Sequence, residues 1–342
     1  MVSSMMQSSL SAAKPRLPLL AFCLLGLIAT GCNRTAHIAS ITPIKLATYE
    51  WPGNYWIDVA QKKGWFAEAG IAIDRIDVGG KYFAAQDSLA TGAIDAMGFT
   101  QFDLVQHVAH GQDLVAIAAI DYSEGAEALV ARHGIRTLQD LYGKRLALHR
   151  GTYLEYLLSV LAEREGVDLA KINLVDGQGD LSAEEFKQGK VDAVLVWEPW
   201  VAEAQKLGNT NIVFSTRDFP GLTYSVLTFR REFINAHPRE IGALMEVWHR
   251  AERYIHDNPD ESCQIVADAF SEPDVNDIRV LMRADRVLDL ADNGRAFSYA
   301  AGFESLHASW RRMNDFLLER GLVDRRVASP SHLDSSYIRM LR

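Results

Sequence analysis

The chain has 342 residues, a formal net charge of −9 and 48% hydrophobic residues, enough apolar material for two lobes rather than one core. The acidic balance argues against nucleic acid as a partner. Three cysteines are too few for a disulfide scaffold.

Residues 1–31 read as a signal peptide. Lys14 and Arg16 form a basic start, and residues 19–29 form an apolar stretch too short to span a bilayer. Ala29-Thr30-Gly31-Cys32 puts small residues before a cysteine and resembles a bacterial lipoprotein box, which would make Cys32 the lipidated N-terminus. Asn33 in place of Asp leaves inner- or outer-membrane sorting open. Losing the leader removes two positive charges and no acid. Cys23 goes with it. Cys263 then stands alone in a helical apolar pattern with Ile265, Val266 and Phe270, a small buried hydrophobe by expectation.

Residues 32–42 read as a tether. Residues 44–48 are the first strand, followed by the Trp51-Pro52-Gly53-Asn54-Tyr55-Trp56 turn and a helix over 57–63 stopped by Gly64. A short helical piece spans 65–70. Residues 71–77 alternate as a strand and end at Gly79-Gly80. A helix over 84–91 closes at Gly92, 94–99 is a third strand, and Thr100 caps a helix over 100–110. Residues 114–120 form a buried strand, 121–126 break it, and 127–132 resume it. Then come a strand over 144–149, the Gly151 turn, and a helix opening at Thr152 with Leu154, Leu157, Leu158 and Leu161 on one face. Strands over 172–175, 191–196 and 212–214 alternate with a helix over 183–189, and 224–228 returns as strand. From 231 on the pattern is helical, over 241–257, 263–270, 277–285 and 303–320. Alternating strands and helices predict parallel sheets wrapped by helices, with ligands at the carboxyl ends of the strands.

Taken together, Lys63-Gly64-Trp65-Phe66, Gly92-x-Ile94-Asp95-Ala96, Ala126-Glu127-Ala128-Leu129-Val130, Leu138-x-Asp140-Leu141-x-Gly143-Lys144, Gly151-Thr152, Gly189-x-Val191-Asp192-Ala193 and Trp197-Glu198-Pro199-Trp200 form an ordered series. Over roughly residues 43–260 it resembles the solute-binding proteins of nitrate, sulfonate and taurine ABC transporters. Their superfamily includes the pyrimidine synthase of thiamine biosynthesis. The resemblance implies an α/β type II periplasmic-binding-protein fold: two Rossmann-like lobes joined by two crossover strands and closing like a hinge. The crossovers are expected at 129–132 and 224–228. Lobe I would take 43–128 and 225–342, and lobe II 129–224. The implied product is a monomeric, lipid-anchored protein of the periplasm or cell surface. Its partners would be a small-molecule solute, an ABC permease and, through its lipid, the membrane.

Candidate ligand contacts follow from the strand ends. Trp51 and Tyr55 offer a flat wall, or else anchor the first helix as core aromatics. Asn54, Thr100 and Gln101 offer neutral polar groups, or else cap helices. Gly151, Thr152 and Tyr153 open a helix whose unpaired N–H groups and dipole suit an anion. The resemblance implies that this turn takes the ligand's acidic group. Trp197 and Glu198 end another strand, and Glu198 has a structural reading before Pro199. Asp121 and Glu124 are awkward for a sulfonate or nitrate unless they pair with Arg132 or face solvent. If they line the cleft, an amine or aminopyrimidine fits better. His107, His110, His133 and His149 lack metal-ligand spacing and read as surface residues, and no metal or cofactor is expected. The competing class is an enzyme of the pyrimidine-synthase type on the same fold. That enzyme depends on a cysteine-rich motif absent here, and the chain has no nucleophile and base at recognisable spacing.

Overall fold

The computed structural model describes residues 42–342 apart from Pro273. The leader, Cys32 and nearly all of the tether lie outside the described residues. No helix among the described residues is long and apolar enough to cross a membrane.

Eleven strands are present among the described residues. They are β1 (Ile44–Thr48), β2 (Ile73–Asp77), β3 (Ala96–Thr100), β4 (Leu114–Ser123), β5 (Glu127–Arg132), β6 (Arg145–Leu148), β7 (Asn173–Asp176), β8 (Ala193–Trp197), β9 (Thr210–Ser215), β10 (Tyr224–Arg230) and β11 (Asp285–Val287). They form two sheets, ordered β11-β4-β10-β3-β1-β2 and β7-β6-β8-β5-β9. β1 is parallel to β2 and β3, and β6 to β7 and β8. β10 and β5 run antiparallel to their neighbours. β4 is buried over nine of its ten residues, the near-continuous apolar run of a strand covered on both faces.

The helices are α1 (Tyr55–Lys63), α2 (Trp65–Glu68), α3 (Tyr82–Thr91), α4 (Gln101–Ala109), α5 (Tyr153–Glu165), α6 (Gly179–Lys187), α7 (Trp200–Gln205), α8 (Arg231–Ala236), α9 (Pro238–Asp257), α10 (Pro259–Phe270), α11 (Val275–Ala284), α12 (Leu290–Ala296), α13 (Leu306–Glu319) and α14 (Ser336–Met340). Gly64 and Gly92 close α1 and α3 in the left-handed region, at φ +75° and +79°, where a side chain is strained. One face of the first sheet packs Trp56, Phe229, Met245, Trp248 and Cys263 into a core with α1, α9 and α10. Each large side chain fully buried there contributes about 1.5–3 kcal/mol.

The links between the sheets differ from expectation. β5 pairs along its whole length with β8 and β9, and β10 pairs along its whole length with β3 and β4. The chain therefore changes sheet at 124–126 and at 216–223, outside the strands expected to cross. The two linkers are clasped together. Ser123 and Thr216 share a 2.6 Å hydroxyl hydrogen bond, the Gly125 N–H donates to Thr216 Oγ1 at 3.0 Å, and the Ala126 N–H donates to Ser123 Oγ at 3.1 Å. The helix expected over 277–285 ends one residue early, because Asp285–Val287 pairs with Asp121–Ser123 as an edge strand. Three residues carry too little pattern to be read as a strand.

Candidate functional site

The carboxyl ends of β1, β3 and β6 meet the start of β5 at a polar junction, and its groups are brought there by local rules. Thr100 leaves β3 as the N-cap of α4. Its Oγ1 accepts from the Asp103 N–H at 3.1 Å and donates to Asp103 Oδ2 at 2.8 Å. The same oxygen accepts from the Tyr82 hydroxyl at 2.5 Å and from Gln86 Nε2 at 3.2 Å. Tyr82 opens α3, and its ring meets Tyr49, just past β1, edge-on at 5.1 Å. Phe83 meets Tyr82 at 5.0 Å and, on its other side, meets His149 beyond β6 at 5.1 Å. The edge-to-face series Tyr49, Tyr82, Phe83, His149 thus runs from one sheet's strand ends to the other's.

Glu127 is the first residue of β5 and is 1% exposed. The Tyr153 hydroxyl, in the first turn of α5, stands beside its carboxyl. The carboxylate oxygen Oε2 is buried without a partner. Burial pushes the Glu127 carboxyl up to about 7, with Ser123 hydrogen bonding in opposition and the Asp121 charge adding to the rise. Asp103 is also raised by burial, against the stabilising hydrogen bonds from Tyr82 and Thr100. Burial holds the Tyr49, Tyr82 and Tyr153 phenols well above their usual range, and neighbouring carboxylates reinforce this. All three therefore remain donors.

A second carboxyl pair lies beside this junction. Asp121, 1% exposed, faces Asp285 of β11. Burial lifts Asp121 to about 6, and lifts Asp285 well above its usual range with help from the Asp121 and Glu127 charges. Two buried carboxyls this close disfavour double ionisation. Asp121 therefore neither faces solvent nor pairs with Arg132, which instead donates to the Phe186 carbonyl.

Of the residues singled out from sequence, Thr100 and Tyr153 sit at the junction. Asn54 adjoins it at the turn after β1 and is 1% exposed, with its Nδ2 buried and unpartnered. Trp51 is half-buried at the turn after β1. Tyr55 is 1% exposed and packs in the first-sheet core. Gln101 is turned away, donating to the Leu306 carbonyl at 2.6 Å. Glu124 lies in the linker, where its carbonyl accepts from Arg217 Nε at 3.2 Å. Trp197 stands across the ladder from Glu127 and packs against the start of α6. A Cβ at Gly179 would come within 3.0 Å of its ring. Glu198 caps α7, accepting from the Ala202 N–H at 3.0 Å.

The Gly151 turn has the expected form, with an internal carboxylate beside it. Thr152 caps α5, accepting from the Leu154 N–H at 3.3 Å, and Gly151 holds φ +72°. The Gly151 N–H donates at 2.9 Å to Glu155 Oε2, a carboxylate of the same helix that is 3% exposed. Glu155 is in turn 3.9 Å from Arg150 Nη2 and 3.7 Å from Arg320 Nε.

Tyr49, Tyr82, Phe83, Asp103 and Glu127 were not singled out from sequence. Thr100-x-x-Asp103 is a capping pattern, and Glu127 opens an apolar strand with a charge. Both were legible as anomalies but not as neighbours. His107 and His149 are half-buried: His107 hydrogen-bonds Gln86 Oε1 at 2.8 Å, and His149 meets Phe83. The junction is closed over by contacts between the two sheets' helices. Phe102 of α4 lies 5.8 Å from Tyr156 of α5, which lies 5.6 Å from Phe316 of α13. Cavities of about 340 and 160 Å³ occur elsewhere, one beside Gly111 and Arg325 and the other beside Tyr122 and Arg286.

Residues 54–262 match the family model described as NMT1/THI5 like. A Brucella abortus protein described as a binding protein is 23% identical over 223 residues, 63% of this chain and 68% of that one. The taurine-binding periplasmic protein of Escherichia coli is 25% identical over 209 residues, 59% of this chain and 63% of its own. Among solved structures, the periplasmic aliphatic sulphonate binding protein of Escherichia coli aligns with a TM-score of 0.70 at 17% identity, over 85% of this chain and 91% of that one. The desulfurization enzyme DSZB aligns at 0.62 and 16% identity, over 87% and 98%. The chain belongs to the NMT1/THI5-like family and has the periplasmic-binding-protein fold, with two sheet-containing lobes.

Proposed function

We propose that the protein is an extracytoplasmic solute-binding protein that captures a small organic solute between its lobes and delivers it to an ABC importer. The observation that carries this reading is the junction itself. Strand ends from both sheets converge on one buried polar cluster, and only two clasped linkers join the sheets. Separating the lobes about those linkers would expose Tyr153, Asp103 and the aromatic series, and closing them would bury a bound solute. The named relatives supply alkanesulfonates and taurine as the first solutes to try. The sequence adds nitrate, amines and aminopyrimidines.

The leader and Cys32 support export and lipid anchoring. The fold is shared with an enzyme, but Cys263 is buried in the first-sheet core at 4% exposure, apart from the junction. Binding, closure and docking then make up the mechanism.

The test is thermal stabilisation of the leaderless protein by these solutes, with small-angle scattering to follow closure. A solute at about a hundred times its dissociation constant adds roughly 2.7 kcal/mol to the folded state. A panel that neither stabilises nor compacts the protein would count against solute capture. Metabolic labelling with a fatty acid checks the anchor: Cys32→Ala should abolish it.

A further inference from the structure

This inference rests on the solute-binding reading and assigns the sign of charge at its site. None of the four junction carboxyls, Asp103, Asp121, Glu127 and Asp285, takes part in an ion pair among the described residues. An anion placed there would meet buried acids without a compensating cation, a cost of several kcal/mol. The cations nearest the α5 turn, Arg150 and Arg320, lie 3.9 and 3.7 Å from Glu155 and are not paired with any of these four.

Two further observations point to an organic cation. Glu127 is 1% exposed and its Oε2 lacks any partner, so an acceptor is stored in the interior with its bond unmade. The rings of Tyr49, Tyr82, Phe83 and His149 line the same junction in edge-to-face sequence, and ring faces attract cations. No three His, Cys, Asp or Glu side chains among the described residues stand close enough to hold a metal ion.

We propose that the junction binds a small organic cation bearing N–H donors, of the amidinium or guanidinium class, with Glu127 and Asp103 as its counter-charges and the Tyr49–His149 aromatic series as its wall. Asp103 presents the carboxylate of the first lobe, fixed by Tyr82, Thr100 and Gln86. Glu127 presents that of the second, beside Tyr153. A cation held by both would tie the lobes together, so recognition and closure would be one event.

The test uses three probes with one ring and different charge: benzamidine, benzamide and benzenesulfonate, each at millimolar concentration with the leaderless protein. Taurine and ethanesulfonate serve as controls for the solute-binding reading. Calorimetry should show benzamidine bound more tightly than benzamide, and benzenesulfonate not bound. Glu127→Gln should weaken benzamidine by roughly tenfold or more and leave benzamide within a few-fold. Phe83→Leu, at a partly exposed ring, should weaken benzamidine a few-fold and provides an arm that does not touch the buried acids. Tighter binding of benzenesulfonate, taurine or ethanesulfonate than of benzamidine would overturn the cation assignment while leaving solute capture standing. Silence from all five probes would overturn the assignment and count against the site. Unchanged benzamidine affinity in both folded variants would overturn the roles given to Glu127 and the wall.

Discussion

Replacing Glu127 with Gln isolates the cost of keeping this carboxylate at the junction. Burial raises the Glu127 carboxyl from 4.5 to about 7. A carboxyl raised in this way binds its proton more tightly in the folded chain than in the unfolded one. Its contribution to stability is fully present below the unfolded value, and is lost as pH rises through about 7. At about 1.36 kcal/mol per tenfold change in proton affinity, the loss is about 3 kcal/mol. Gln keeps an acceptor beside the Tyr153 hydroxyl and has no charge to bury. The variant should therefore match the native chain at about pH 5 and exceed it at about pH 8, with a melting temperature several degrees higher there. Thermal melts of both proteins across that range, without ligand, provide the assay. Parallel pH profiles for the two proteins would refute the reasoning, since they would mean that Glu127 reaches solvent or a cation in the folded state.

Other substitutions test the supports around the junction. A Cβ at Gly53 would stand 1.9 Å from Asp121 Oδ2, and one at Gly98 would stand 2.3 Å from Asn54 Oδ1. Gly98→Ala should cost about 1–3 kcal/mol in urea unfolding through overpacking, and Gly53→Ala a similar amount with a flattened pH dependence near about 6, where Asp121 titrates. Thr216→Val removes the hydroxyl that clasps the linkers. It leaves the Gly125 N–H and the Ser123 hydroxyl without that partner, and should cost about 1–3 kcal/mol together with a change in the closed fraction seen by scattering. Phe316→Ala deletes the ring between Tyr156 and Phe102. It should destabilise the chain by about 3–5 kcal/mol, with local hydrogen exchange rising in both α5 and α13.

Most of the architecture was legible because its signals are local. Alternation placed β2, glycine stops placed the ends of α1 and α3, and the apolar run placed β4. What escaped was set by pairing partners. β11 is a strand only because Asp121–Ser123 presents an open edge to it. The linkers at 124–126 and 216–223 are linkers only because β5 and β10 each commit fully to one sheet. Sequence placed the break at Asp121, whereas β4 runs on to Ser123 because β10 and β11 pair with Asp121 and Tyr122.

The site shows the same limit more sharply. A helix N-terminus after a glycine turn is a sound signal for negative charge, and Gly151-Thr152 has that form. The rule names the charge without naming its owner. Here a carboxylate of the same helix, Glu155, accepts from the Gly151 N–H and is flanked by Arg150 and Arg320. Tyr153, beside it, turns its hydroxyl to Glu127 rather than to an anion. With the junction carboxyls outside every ion pair among the described residues, the cation proposed above would supply the charge they lack. The proposed site depends on Glu127, Asp103 and Tyr153, which lie far apart in sequence and meet only when both sheets have formed.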